Sequence, residues 1–142
     1  HDIKESCKKE YAIIMCFDTV VVHNDEILEK PKDEDDLVRM VKLWSQKGEK
    51  TYVYTAIAVG KVSDGKRLEK VVRAEMVMTR DLTEAEFQNY IADKYVRQSS
   101  GALIVENMQE INAVEITEGD LDIIQGFPVA QTKEFVDSLL NE

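Results

Sequence analysis

Apolar residues run almost unbroken from Tyr11 to Phe17 (YAIIMCF), and beyond Asp18 the stretch Thr19-Val20-Val21-Val22 carries an extended pattern onward. Near-continuous apolar runs of this length suit strands covered on both faces. The polar break His23-Asn24-Asp25-Glu26 predicts a hairpin turn that returns through Ile27 and Leu28, before Pro31 stops regular pairing. The period then changes. Leu37, Met40, Val41 and Trp44 recur at i, i+3, i+4 and i+7, which predicts a helix from Asp33 to Trp44 that is closed by Gly48. Its opening acids, Asp33, Glu34, Asp35 and Asp36, fit a helix N-terminus, where the dipole favours anions, better than a metal site.

Thr51 to Val59 (TYVYTAIAV) and Leu68 to Thr79 are rich in β formers around the turn Ser63-Asp64-Gly65-Lys66, and predict a second hairpin. Thr83-Glu84-Ala85-Glu86 has capping-box spacing and opens a helix to about Ala92, with Phe87, Tyr90 and Ile91 inward. Gln98 to Gly101 reads as a loop. Ala102 to Val105 and Val114 to Ile116 read as short strands, Gly119 and Gly126-Phe127-Pro128 as breaks, and Pro128 to Leu140 as a last amphipathic helix. Residues Asp2 to Glu10 suit a helix end. This irregular alternation predicts an α/β domain over residues 1–142, with a mixed twisted sheet flanked by helices.

With 142 residues, 44% of them hydrophobic, the chain can build one core of ordinary size. Its net charge of −10 is spread along the sequence, a diffuse field that argues against binding nucleic-acid polymers or anionic membranes. Neither a membrane-length apolar run nor a signal-peptide pattern is visible, and two cysteines, Cys7 and Cys16, make no disulfide framework, so the cytoplasm is the expected setting.

The candidate chemistry starts at Asp18, a carboxylate where a hydrophobic strand emerges, with Lys30 beyond the short hairpin. An acid and a cation so placed suit a metal and phosphate site, since ligands collect where strands of open α/β sheets end. On spacing alone, a turn-forming or helix-capping acid and a surface lysine are the commoner arrangement. His1 and His23 lack the partners of a zinc site, Cys16 reads as a core thiol, and Ser99-Ser100-Gly101 lacks the esterase elbow. Lys70 and Arg73 are expected to face water.

Taken in order, the segments DTVVV (18–22), EKP (29–31), the helix carrying Leu37 and Met40, YTAIAV (54–59), DLTEAEFQNYI (81–91) and GDLDIIQGFPV (119–129) resemble the Maf-like family of nucleoside triphosphate pyrophosphatases. The resemblance implies an inosine-triphosphatase-like architecture with a central cleft, and hydrolysis of a nucleoside triphosphate to the monophosphate and pyrophosphate with Mg²⁺ or Mn²⁺. It implies Asp18 as metal ligand or general base, Lys30 on the triphosphate, Thr19 and Glu106 at the base, and a homodimer. Thr19 matches the branch acting on dTTP and UTP. Glu106 stands where that branch has glutamine, and a carboxylate, which only accepts hydrogen bonds, matches the branch acting on 7-methyl-GTP. The pyrimidine substrates are the leading expectation. The family's Ser-x-Arg-Arg loop and its following acid have no counterpart here, Gln98-Ser99 replaces an Asp-Lys pair, Thr51 stands where a histidine is usual and Ala56 replaces a glycine. The expectation is therefore an N-terminally incomplete domain, with a catalytically degenerate nucleotide-binding or interaction module as the alternative.

Overall fold

The computed structural model describes residues 12–141. The helix end read at Asp2 to Glu10 falls outside them, as do His1, Cys7 and Tyr11. The apolar run becomes β1 (Ile13–His23), which turns through Asn24 and Asp25 into β2 (Glu26–Leu28). Both turn residues have positive φ, 48° and 63°, the geometry that lets a two-residue hairpin follow the twist of its strands, and Asn and Asp tolerate it well. Helix α1 (Glu34–Trp44) follows, capped by Asp33, whose carboxylate accepts from the Asp36 amide at 2.8 Å. The acids at its start are thus capping and dipole groups.

Strands β3 (Lys50–Lys61) and β4 (Arg67–Met78) form the long second hairpin, and β5 (Val114–Glu118) pairs with β4. The sheet order is β2-β1-β3-β4-β5, and every described pairing is antiparallel. The sequence reading expected a mixed sheet. Tight turns join β1 to β2 and β3 to β4, and a tight turn can only join antiparallel neighbours. Along β3, the residues Thr51, Val53, Thr55, Ile57 and Val59 are buried in alternation, matched on β4 by Val72, Ala74, Met76 and Met78. This face carries the core. Leu37, Met40, Val41 and Trp44 of α1 pack with Val21, Val53, Met76 and Met78 toward one end of the long strands, and Leu139 of the last helix packs with Ile57 and Val59 toward the other.

Strand parity corrects one expectation. Cys16 is exposed rather than a core thiol, because even-numbered residues of β1 project away from the helices. Beyond β4 come α2 (Glu84–Ala92), two 3₁₀ turns at 96–98 and 100–102, α3 (Val105–Glu110), the short α4 (Leu121–Ile124) and α5 (Val129–Leu140). The strand expected over 102–105 is absent. Gly101 and Ala102 take φ of 68° and 53°, which no strand accommodates, and the chain enters a helix at Val105.

The capping box of α2 is present in full. The Thr83 hydroxyl accepts from the Glu86 amide at 3.1 Å, while the Glu86 carboxylate accepts from the Thr83 amide at 2.9 Å. Arg80 forks onto the same carboxylate with two contacts of 2.8 Å. The Arg80 guanidinium, with help from the Thr83 amide, holds the Glu86 carboxyl down at about 2. A depressed carboxylate contributes stability above its unfolded value of 4.5 and loses it as pH falls through the folded one. Glu86→Gln is accordingly expected to flatten the fall in stability between pH 4.5 and 2, as read from urea midpoints across that range. An acid limb identical to that of the parent would contradict the assignment.

Candidate active site

The site begins where two strands part. Pairing of β1 with β2 ends at Val21 opposite Leu28, after which residues 29–31 leave the sheet. Among the described residues, β1 before Val21 therefore has no neighbour on that side, and a fork opens. The Gly101 amide donates to the Glu29 carbonyl at 2.9 Å and fastens the 99–104 loop to the departing chain. Only glycine serves there, since a Cβ at Gly101 would lie 2.9 Å from Val21 Cγ1.

A groove of about 510 Å³ lies in the fork and is lined by Asp18, Thr19, Glu29, Lys30, Lys32 and Ser100. A second groove, of about 340 Å³, is lined by Thr19, Ser99, Ser100, Ile104, Glu106 and Gln125 among others. Thr19 and Ser100 belong to both, so the grooves adjoin. Asp18, Thr19 and Lys30 thus share one hollow, while Thr19 and Glu106 share the next. Asp18 and Glu106 do not share a groove. Successive strand residues project to opposite faces, so Asp18 is exposed on the outer face whereas Thr19 turns toward the helices. Asp18 also sits within β1 rather than at its end, because Thr19 to Val22 continue to pair with β3.

The helix-side polar groups are held from behind. Thr19 Oγ1 lies 2.9 Å from Thr55 Oγ1, directly across the β1–β3 pair, and Thr55 Oγ1 donates to the Ile123 carbonyl at 2.9 Å. Glu106 stands in the first turn of α3, where the helix dipole favours its charge, and accepts from Gln125 Nε2 at 2.7 Å. Sequence reading missed Ser100 and Gln125. Gln125 lies 19 residues from Glu106 and comes to the groove only because α4 folds back over the sheet.

Two buried aromatics anchor the 99–104 loop. Trp44 Nε1 donates to the Gly101 carbonyl at 2.9 Å, and the Tyr90 hydroxyl donates to the Ala102 carbonyl at 2.6 Å while accepting from the Ile104 amide at 2.9 Å. The rings meet edge to face, with centroids 5.6 Å apart. Burial pushes the Tyr90 phenol above its usual range, so it stays neutral and keeps its donor.

Other tempting residues resolve as structure. His23 is buried, with Nδ1 3.0 Å from the Lys50 carbonyl and 3.2 Å from Thr51 Oγ1, and with Nε2 facing Glu49 Oε2 at 3.0 Å. It ties the end of β1 to the start of β3, and its imidazole abuts the position where a family histidine was expected. Arg73 lies exposed over the Tyr52 ring and pairs with Glu118. Among the described residues, no group of three or more His, Cys, Asp or Glu side chains gathers to hold a metal ion, and no helix is long and apolar enough to cross a membrane.

The sequence profile of the Maf-like protein family matches residues 2–139, nearly the whole chain. The chain belongs to the Maf-like protein family. Among its curated relatives is the dTTP/UTP pyrophosphatase of Dictyoglomus turgidum, 37% identical over 138 residues, covering 92% of this chain and 63% of the relative. The protein of the same name from Lachnoclostridium phytofermentans is 35% identical, with 92% and 66% covered, and that from Clostridium botulinum is 31% identical, with 98% and 71% covered. This Maf-like chain therefore spans about two thirds of the length of these relatives.

Proposed function

We propose that the β1–β2 fork is the catalytic centre of a metal-dependent nucleoside triphosphate pyrophosphatase, which releases pyrophosphate and a nucleoside monophosphate. The observation that carries this reading is the pair of adjoining grooves, one holding Asp18 and Lys30, the other Glu106, with Thr19 in both. An elongated ligand with a charged tail and a planar head suits that arrangement. Membership of the Maf-like family and the names of the relatives support it.

The roles follow from chemistry. Asp18 is exposed in the fork, free to accept the proton of a water that attacks the α-phosphorus as pyrophosphate leaves. Lys30, on the chain leaving β2, offers a point charge to the phosphates. Two carboxylates, Asp18 and Glu29, line the fork. Mg²⁺ and Mn²⁺ take oxygen ligands and are commonly held by one or two carboxylates, with phosphate oxygens and water completing the shell, so these residues fit such an ion. When bound, the ion neutralises charge developing on the phosphate oxygens. The second groove then receives the base. We take dTTP and UTP as substrates, in keeping with the relatives' names, and place the protein in the cytoplasm, where such nucleotides are made and used. The Glu106 carboxylate supports a second reading, because it suits the donor edge of 7-methyl-GTP.

A panel of dTTP, UTP, CTP and 7-methyl-GTP, each with Mg²⁺, Mn²⁺ or a chelator, tests the proposal on the full-length protein. Pyrophosphate release that is lost with chelator is expected for dTTP and UTP. Lys30→Met is expected to raise KM for the preferred nucleotide about 10- to 100-fold, the loss of one charge-assisted contact. Binding without release from any nucleotide would contradict the enzymatic reading and favour a non-catalytic nucleotide-binding module.

A further inference from the structure

Thr55 lines neither groove, yet its hydroxyl is bonded to that of Thr19, which lines both. A hydroxyl has one proton to give. Thr55 is fully buried, and its Oγ1 lies 2.9 Å from the Ile123 carbonyl, a group that can only accept. The Thr55 proton is therefore committed to Ile123, and the 2.9 Å contact between the two threonines must use the Thr19 proton. The chain of donation runs Thr19 to Thr55 to Ile123. Thr19 Oγ1 is left with lone pairs and no free proton, so toward the groove it is an acceptor alone.

The same hydroxyl needs a glycine beside it. Gly126 takes φ of +88°, and a Cβ built there would stand 2.9 Å from Thr19 Oγ1. The bare glycine lets the hydroxyl stay in line with Thr55.

We propose that Thr55 is a positioning residue that fixes base selection through this relay, admitting bases with a ring N–H and rejecting those with a bare ring nitrogen. The inference rests on the reading of the second groove as the base site. Uracil and thymine offer N3–H, and guanine offers N1–H, to the Thr19 oxygen. Cytosine and adenine present a lone pair there, and two acceptors repel. The acceptor-only Glu106 carboxylate, which lines the same groove, points to the same donor-bearing class of base.

The test compares affinities of the full-length protein for nonhydrolysable α,β-imido UTP and CTP by calorimetry, beside turnover of UTP and CTP. The parent is expected to favour the uracil nucleotide about tenfold or more, the discrimination of one well-placed base contact. Thr55→Val, isosteric but without the hydroxyl, frees the Thr19 proton and is expected to bring that ratio down about tenfold, whereas Thr55→Ser retains it. An unchanged ratio in Thr55→Val, or equal weakening for both nucleotides as simple strand damage would give, overturns the proposal. A measurement without any substitution stands beside it: the parent is expected to bind N3-methyl-UTP about tenfold more weakly than UTP, and equal binding overturns the relay. The affinity ratio with no turnover contradicts the hydrolase reading alone. Turnover with an indifferent ratio contradicts the relay alone, and no nucleotide binding at all overturns both.

Discussion

Asp18→Asn is expected to lower pyrophosphate release by about 10²- to 10⁴-fold, the contribution typical of a positioned acid or base, while leaving the fold intact. The side chain is exposed in the fork, and surface changes of this kind usually shift stability by less than about 0.5 kcal/mol. Asparagine keeps the shape and loses both the proton-accepting oxygen and the negative charge. Affinity for a nonhydrolysable triphosphate in chelator is therefore expected to hold or to tighten, since one repulsion with the phosphates disappears. Steady-state kinetics with calorimetry separates these effects. A variant with most of its turnover would remove Asp18 from the chemistry.

The second large effect concerns stability. Trp44 is fully buried, meets Tyr90 edge to face and donates to the Gly101 carbonyl. Trp44→Ala leaves a cavity, and large aromatic truncations in cores cost about 3 to 5 kcal/mol. The Gly101 carbonyl also loses its indole donor, which adds about 1 to 3 kcal/mol. Set against a typical total of about 5 to 15 kcal/mol, the variant is expected to be near the edge of folding at 37 °C. Urea unfolding at low temperature measures the loss. Because Gly101 belongs to the 99–104 loop that walls the second groove, the folded fraction is also expected to bind nucleotide more weakly. A loss below 1 kcal/mol would show that the loop does not depend on this anchor.

These two sites differ in how far the sequence alone discloses them. The hairpin at Asn24-Asp25, the helix bearing Leu37 to Trp44 and the Thr83-Glu86 capping box were legible because each is set by neighbours within a few residues. Asp18 and Lys30 were legible as a pair through the ordered segments around them, and the structure brings both into one groove. The failures are non-local. The segment 102–105 reads as a strand by composition, but the positive φ at Gly101 and Ala102 follows from fastening this loop to Glu29, Trp44 and Tyr90, partners up to 72 residues away. Cys16 was misplaced because an apolar run does not say which of its faces is covered. Thr55 and Gln125 carried no signal of their own, since the hydroxyl relay and the contact with Glu106 exist only once β1, β3 and α4 are packed together.

The proposed reaction at Asp18 and Lys30 splits a nucleoside triphosphate between its α- and β-phosphates. Phosphorus-31 NMR of UTP incubated with Mg²⁺ and the full-length protein, in parallel with Asp18→Asn, reads the cleaved bond directly. UMP and pyrophosphate are expected from the parent, and unchanged UTP from the variant. UDP with inorganic phosphate, or the same products at the same rate from both proteins, would contradict the proposed reaction.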